Sequence, residues 1–259
     1  MLTMNSLGKK TLGLGLLLGA CLLPSLVLLV SPLFAAGEYA RGRKVISVVK
    51  FESSGIVCES WEGVAVEASY NKSEKCNAED DECYTPISRR FRFSVSTKNA
   101  KTVNFIRKNL NREMLALYKI HRVEAFCLSS DFEVLDVYPR RENPPAGFQR
   151  KLIVDKSGTR NYSVYGKILK LEYIGTVSGT FEGLYLDVNK RKVVPFSIKY
   201  KKMARYASST MFFRKAFHIG ISRSRVISGL RKTKLDFFEI NYDEEAGGIQ
   251  VPASKKKKK

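Results

Sequence analysis

Two hydrophobic patterns divide the chain. From Thr11 to Ala36 no residue carries a charge. At about 1.5 Å per helical residue, that run is long enough to cross a hydrocarbon core of ~30 Å. Beyond it, apolar and polar positions alternate in short runs, the period of strands with one buried face. Val49 and Phe51 alternate with polar neighbours, and so do Val57 and Trp61. Between them Ser53-Ser54-Gly55 reads as a three-residue hairpin loop, with Gly55 at the position that wants positive φ. That register sets Phe51 opposite Val57 and Ser47 opposite Trp61. Phe91, Phe93 and Val95 alternate as a third strand. Val103, Ile106 and Leu110 recur at helical spacing in a helix that begins at Asn99 or Thr102. Glu113 to Val123 and Phe132 to Tyr138 follow as strands four and five. Three strands, a helix and two strands is the order of an OB-type barrel.

The pattern then recurs. Lys50-Phe51-Glu52-Ser53-Ser54-Gly55, continuing to Trp61-Glu62-Gly63, is matched 120 positions later by Lys170-Leu171-Glu172-Tyr173-Ile174-Gly175 and Phe181-Glu182-Gly183. In this copy Leu171 faces Val177 and Lys167 faces Phe181. Val193 to Tyr200 is the third strand, with Phe196-Ser197 echoing Phe93-Ser94. Met203 to Phe217 reads as the helix, and Phe238-Glu239-Ile240 echoes Phe132-Glu133-Val134. Asn143-Pro144-Pro145 marks a linker between the copies. The expected architecture is mainly β with one helix per unit, a membrane or signal helix preceding two tandem OB-like five-stranded barrels. Its segments are an N-region at 1–10, the apolar segment 11–36, barrels at 41–140 and 164–243, a linker at 141–163 and a disordered basic tail at 244–259. Trp61 belongs to a core on this reading, since aromatics dominate cores.

The apolar segment has three readings. It is a retained anchor, with Lys9 and Lys10 favouring a cytoplasmic N-terminus. It is a cleaved signal peptide ending near Ala35 or Ala36. Or Leu18-Gly19-Ala20-Cys21 is a lipobox that lipidates Cys21. Each exports the rest of the chain. In an oxidising compartment, Cys58, Cys76, Cys83 and Cys127 form disulfides. Cys76–Cys83 is the favoured local clasp, which leaves Cys58 with Cys127. The acidic run between Cys76 and Cys83 reads as a solvated loop rather than a calcium site.

Tyr39, Gly42, Arg43, Val48, Lys50, Phe51 and Gly55, then Ser60-Trp61-Glu62-Gly63 and Phe91-Arg92-Phe93-Ser94-Val95, resemble a family of small, uncharacterised bacterial membrane-anchored β proteins. Its pattern is RxGxVxKFSxKG…KTWEG, and its members are often labelled 6-phosphogluconate dehydrogenase. The resemblance spans about residues 36–140. It departs at Ser54, where the family has a basic residue, and in the cysteine-containing insertion. It implies architecture and anchoring but no mechanism. Gly13 to Gly19 lacks the strand and βαβ frame of a dinucleotide loop, so nothing here supports the dehydrogenase label.

The formal net charge is +20. It is concentrated in the second half, a distribution suited to nucleic acid, anionic lipid or an acidic polymer. Lys199, Lys201, Lys202, Arg205, Arg214, Lys215, Arg223 and Arg225 interleave with Tyr200, Tyr206, Phe212 and Phe213, and are the candidate binding residues. No nucleophile elbow, phosphate loop or spaced metal ligands occur, and His121 and His218 sit in no motif. Glu52 with Glu62 and Glu172 with Glu182 are carboxylate pairs on hairpin faces, read as exposed partners of Lys50 and Lys170. The expectation is a non-enzymatic, exported envelope protein needing no cofactor or metal. Its basic second barrel binds a partner or an anionic surface. Alternatives are an OB-type single-stranded nucleic-acid-binding module, which export disfavours, and a lipoprotein of unknown function. An envelope enzyme without a recognisable motif stands behind these.

Overall fold

A computed structural model describes residues 37–56, 58–72, 84–122, 127–154, 160–175, 179–223 and 233–242. The apolar segment 11–36 with Cys21, the insertion holding Cys76 and Cys83, Arg225 and the lysine tail lie outside them. Among the described residues, no helix is long and apolar enough to cross a membrane.

The first half comprises β1 (Glu38–Ser54), β2 (Ser60–Lys72), β3 (Tyr84–Ser96), α1 (Ala100–Lys108), β4 (Glu113–His121) and β5 (Phe132–Pro139). Next come β6 (Lys151–Ile153), β7 (Arg160–Ile174), β8 (Thr180–Asp187), β9 (Lys192–Ile198), α2 (Lys201–Thr210), β10 (Phe217–Arg223) and β11 (Leu235–Asn241). Each half closes a cycle of pairings. β1 pairs β2, β2 pairs β3, β3 pairs β5 in parallel, β5 pairs β4, and β4 returns to β1. β7, β8, β9, β11 and β10 repeat that cycle. Both parallel contacts are made by serines after the repeated Phe, Ser94 with Glu133 and Ser197 with Asp236.

The cycles are not separate bodies. β1 is 17 residues long, and its first half, Ala40 to Lys44, also pairs antiparallel with Ile174 to Lys170 of β7. One sheet therefore runs through both halves. Gly42 permits the junction: a Cβ there would sit 2.5 Å from the Leu171 carbonyl oxygen and 2.6 Å from Glu172 Cα. Only a residue without a side chain lets the two backbones approach this closely.

Three expectations from sequence need correction. The hairpins are longer, since Phe51 faces Gly63 rather than Val57, and Leu171 faces Gly183 rather than Val177. Ser47 faces Val66 and Lys167 faces Leu186, so the pairs proposed with Trp61 and Phe181 do not form. Gly55 and Gly175 do take positive φ, +101° and +105°, but each opens a wider turn. The slip is even beyond the irregularities at Val48/Lys50 and Ile168/Lys170 and odd before them, so Phe51 still faces the core whereas Val48, rather than the expected Val49, is the buried valine. The stretch read as a linker carries β6, which pairs β11, and the start of β7. The second helix ends at Thr210, and Phe217 begins β10.

Two clusters of buried side chains fill the halves. Phe93, Val95, Val103, Ile106, Met114 and Tyr118 centre the first, with Trp61 and Phe51 packed at its margin. Tyr185, Phe196, Met203, Phe217, Ile219 and Phe237 centre the second, which also recruits Val45 and Leu115 from β1 and β4.

Candidate binding groove

Strand alternation puts Arg41 and Arg43 on one face of β1, with Gly42 and Lys44 on the other. The arginine face looks toward α2. The Arg43 guanidinium donates to Ser208 Oγ and lies 5.2 Å from the Phe212 ring centre. A hollow of about 420 Å³ opens beside it, lined by Arg41, Arg43 and Arg205 together with Leu171, Tyr173 and Phe181. Arg41 is held by Glu38, with Nη2 to Oε2 at 2.8 Å. That contact raises the Arg41 pKa.

Past the Arg43–Phe212 contact lies a second, apolar hollow of about 310 Å³, lined by Tyr138, Pro139, Arg141, Pro145, Phe148 and Phe212. Phe212 is set from both sides. Buried Arg140 donates through Nε to the Met211 carbonyl (3.1 Å) and through Nη2 to the Phe213 carbonyl. The Arg141 amide donates to the Phe212 carbonyl at 2.9 Å, and the Arg214 amide returns a bond to Arg141 at 2.8 Å. Burial pushes the Arg140 guanidinium down from its ordinary value and Glu113, 2.7 Å from Nη1, opposes that. Arg140 is thus a positioning residue for the groove's central ring. The two hollows follow α2 in order, Arg205 and Ser208 beside the first, Ser209 and Phe212 beside the second. The arrangement offers cations and half-exposed ring faces, which is what a flexible anionic chain with planar groups needs.

Behind the seam, the opposite face of β1 carries a buried polar network. Lys44 Nζ pairs with Glu67 at 2.6 Å and lies 4.4 Å from the Phe91 ring centre. Burial lowers its pKa, Glu67 opposes this, and nearby Lys170 adds to it. Tyr118 donates to Glu172 Oε2 at 2.6 Å, and Lys170 reaches Oε1 at 2.7 Å. Burial, then the Glu172 charge, raises the Tyr118 phenol well above its ordinary value. Glu182 accepts from Ser197 at 2.7 Å, as Glu62 accepts from Ser94 at 2.7 Å. Glu172 and Glu182 are therefore buried rather than surface partners, at 6% and 4% exposure. Only Lys50–Glu52 matches the exposed pairing expected. No group of ligands among the described residues suits a metal ion.

The basic residues singled out in the sequence do not form one patch. Arg205 lines the first hollow. Lys201 and Lys202 are exposed on the first turn of α2, and Lys199 lies 5.1 Å from the Tyr200 ring centre. Arg214 pairs with Glu142, Lys215 contacts Tyr242, and Arg223 ends β10. Trp61 stacks on Phe51 at 5.2 Å with Arg107 above it at 5.4 Å, a half-buried core aromatic. Cys58 is bonded to Cys127, as the second pair of the predicted scheme required. Sequence reasoning missed Arg41 and Arg43 as site residues. Their signal was two arginines alternating on a strand across a glycine.

No curated protein matches the chain. Among solved structures, two forms of the single-stranded DNA binding protein from Thermus aquaticus are similar. One is wild type and the other a deletion mutant that also carries an arginine-to-alanine substitution, each at 9% identity and a TM-score of 0.24. The wild type covers 85% of this chain and the mutant 83%, each over 98% of its own length. A superposition this loose carries no argument. The family comparison is stronger, and its two matched stretches, 37–143 and 158–247, correspond to the two halves of the fold: the chain belongs to the family described as Domain of unknown function (DUF8785).

Proposed function

We propose that the chain is a non-catalytic binding module that lays a single nucleic-acid strand along the groove between β1, β7 and α2. The observation that carries this is the juxtaposition of Arg41, Arg43 and Arg205 with Tyr173, Phe181 and Phe212 in adjoining hollows. Guanidinium groups take backbone phosphates and ring faces take unpaired bases, which duplex DNA does not offer. The strand cycle 1-2-3-5-4-1, closed twice, supports reading each half as an OB-type barrel. The net charge of +20 supplies long-range attraction.

The test is a fluorescence anisotropy titration of labelled oligothymidine, about 20 nucleotides long so that it exceeds one barrel's usual site. Saturable binding should weaken steeply with salt, and Arg205→Ala should lower the log–log salt slope by about one. Absence of saturable binding at low salt, or an Arg205→Ala variant indistinguishable from the parent, overturns the reading.

The Cys58–Cys127 bridge and the uncharged run 11–36 favour a second reading, that of an exported, membrane-anchored protein holding an acidic envelope polymer in the same groove. Heparin and anionic vesicles serve as probes. Tight, Arg205-dependent binding to either, with none to oligothymidine, selects this second reading.

A further inference from the structure

A third hollow, of about 420 Å³, lies behind the seam, where the first half reaches over the second. The outer ends of β2 and β3 form one wall, with Glu67, Ser69, Tyr70, Tyr84 and Arg89. β7 and β8 form the other, with Lys170, Glu172 and Glu182. We propose that this hollow binds a saccharide through neighbouring hydroxyl groups of the sugar ring.

The two walls offer different chemistry. The β7–β8 wall presents fixed acceptors: Glu172 and Glu182 stand directly opposite one another and are both buried. Tyr118 and Lys170 hold Glu172, one on each oxygen, and Ser197 holds Glu182. A carboxylate has about four acceptor positions, so Glu172 keeps some in reserve. The β2–β3 wall presents free donors. Among the described residues, the Arg89 and Ser69 side chains and the Tyr70 hydroxyl have no hydrogen-bond or ion-pair partner. Burial alone raises the Tyr70 phenol above its ordinary value, which keeps it an O–H donor. Charge does not select an ion. Glu67 is neutralised by Lys44 at 2.6 Å and Glu172 by Lys170 at 2.7 Å, and the lining's remaining charges are Arg89 and Glu182. A neutral ligand that donates to one wall and accepts from the other is a polyol, because each hydroxyl does both. Tyr84 meets Tyr70 edge to face with ring centres 4.9 Å apart, an aromatic surface for the C–H face of a sugar ring. The first half supplies an internal comparison: Glu52, the counterpart of Glu172, is exposed and paired with Lys50. Only the second copy of the carboxylate pair lines a hollow of this size, within the range of about 300–1,000 Å³ usual for small ligands.

The site does not depend on the groove reading. The experiment is saturation-transfer-difference NMR of the full-length chain, titrated in turn with glucose, galactose, mannose and N-acetylglucosamine. Glycerol serves as a polyol without a ring and alanine as a zwitterion. The variants are Arg89→Met and Tyr70→Phe, with Arg90→Met, on the other face of β3, and Arg205→Ala as controls. Saturable transfer to at least one sugar, weakened tenfold or more by Arg89→Met and severalfold by Tyr70→Phe but by neither control, establishes the site. Tenfold corresponds to about 1.4 kcal/mol, the scale of one lost charge-assisted hydrogen bond. No saturable transfer to any of the four sugars, or equal transfer in all variants, overturns it. Glycerol or alanine binding as tightly as the best sugar overturns the saccharide class. Circular dichroism guards against misfolding, and a misfolded Tyr70→Phe leaves the exposed Arg89→Met to decide. Saturating oligothymidine should leave the sugar signal unchanged, and displacement of the sugar would overturn a separate site. Failure of oligothymidine to bind at all, with the sugar signal intact, removes the groove reading and leaves this site standing.

Discussion

The repeated Glu-Gly and Phe-Ser pairs are one device used twice. Glu62 faces Ser94 and Gly63 faces Phe93 across β2 and β3; Glu182 faces Ser197 and Gly183 faces Phe196 across β8 and β9. Each serine hydroxyl donates to its glutamate, and each phenylalanine ring lies where the glycine's side chain would be. A Cβ on Gly63 would meet Phe93 Cζ at 2.3 Å, and one on Gly183 would meet Phe196 Cζ at 2.4 Å. Both rings are completely buried and have nowhere to go. Gly63→Ala should therefore cost about 1–3 kcal/mol, the usual penalty for overpacking. Combining it with Phe93→Leu should cost less than the sum of the singles, because the three nearest atoms to the added methyl all belong to the Phe93 ring. Urea midpoints of the four proteins check this, and strict additivity would show that the ring does not oppose the alanine. Both members of the device were visible in the sequence as a spaced repeat. Their partnership was not, because it depends on the β2–β3 register, and Glu62 and Ser94 lie 32 residues apart with no short turn to set it.

At the scale of elements, what the sequence hides is how long a strand runs and what else it meets. The length of β1 was unreadable because Arg41, Arg43 and Lys44 interrupt its apolar alternation, yet those residues serve separate surroundings. Arg41 and Arg43 line the groove, and Lys44 enters the first core with Glu67 and three aromatic rings. β10 was absorbed into the preceding helix because Phe212, Phe213 and Phe217 continue a helical spacing. β6 is three residues long and has no period to detect. The Cys58–Cys127 link was legible as one member of a pairing scheme, since four cysteines outside the apolar run allow few alternatives. It joins the β1–β2 turn to the β4–β5 connection across 69 residues. Replacing both cysteines by serine should cost about 4 kcal/mol on the loop-entropy scale for such a separation. Denaturant midpoints for the parent and the double variant check the value, and a loss under about 1 kcal/mol would mean that neighbouring contacts already close the loop, the Ser129 amide to Glu62 Oε1 (3.3 Å) among them.

In the whole molecule, the question is whether the duplication still yields two independent units. Three contacts say that it does not. β1 and β7 share backbone pairing from Ala40 to Lys44. Tyr118 of the first half donates to buried Glu172 of the second. Arg140, at the end of β5, satisfies two carbonyl groups at the end of α2. Val45 and Leu115, at 8% and 0% exposure, belong to the second half's core although β1 and β4 close the first half's cycle. Separating the halves would expose those apolar side chains and break the hydrogen bonds that Arg140 and Tyr118 make across the seam. The halves should therefore unfold together. Trp61 is the single tryptophan and reports on the first half. A fluorine label on Phe237, fully buried in the second core, reports on the other half. The two probes should give one urea midpoint. Leu115→Ala should move both midpoints by the same amount, within the range of about 2–5 kcal/mol typical of buried leucine truncations. Two separated midpoints, or a Leu115→Ala shift seen by Trp61 alone, would mean that the seam is a contact between finished domains. The groove, whose arginines come from both sides of that seam, would then open and close with domain motion instead of being held rigid by the sheet.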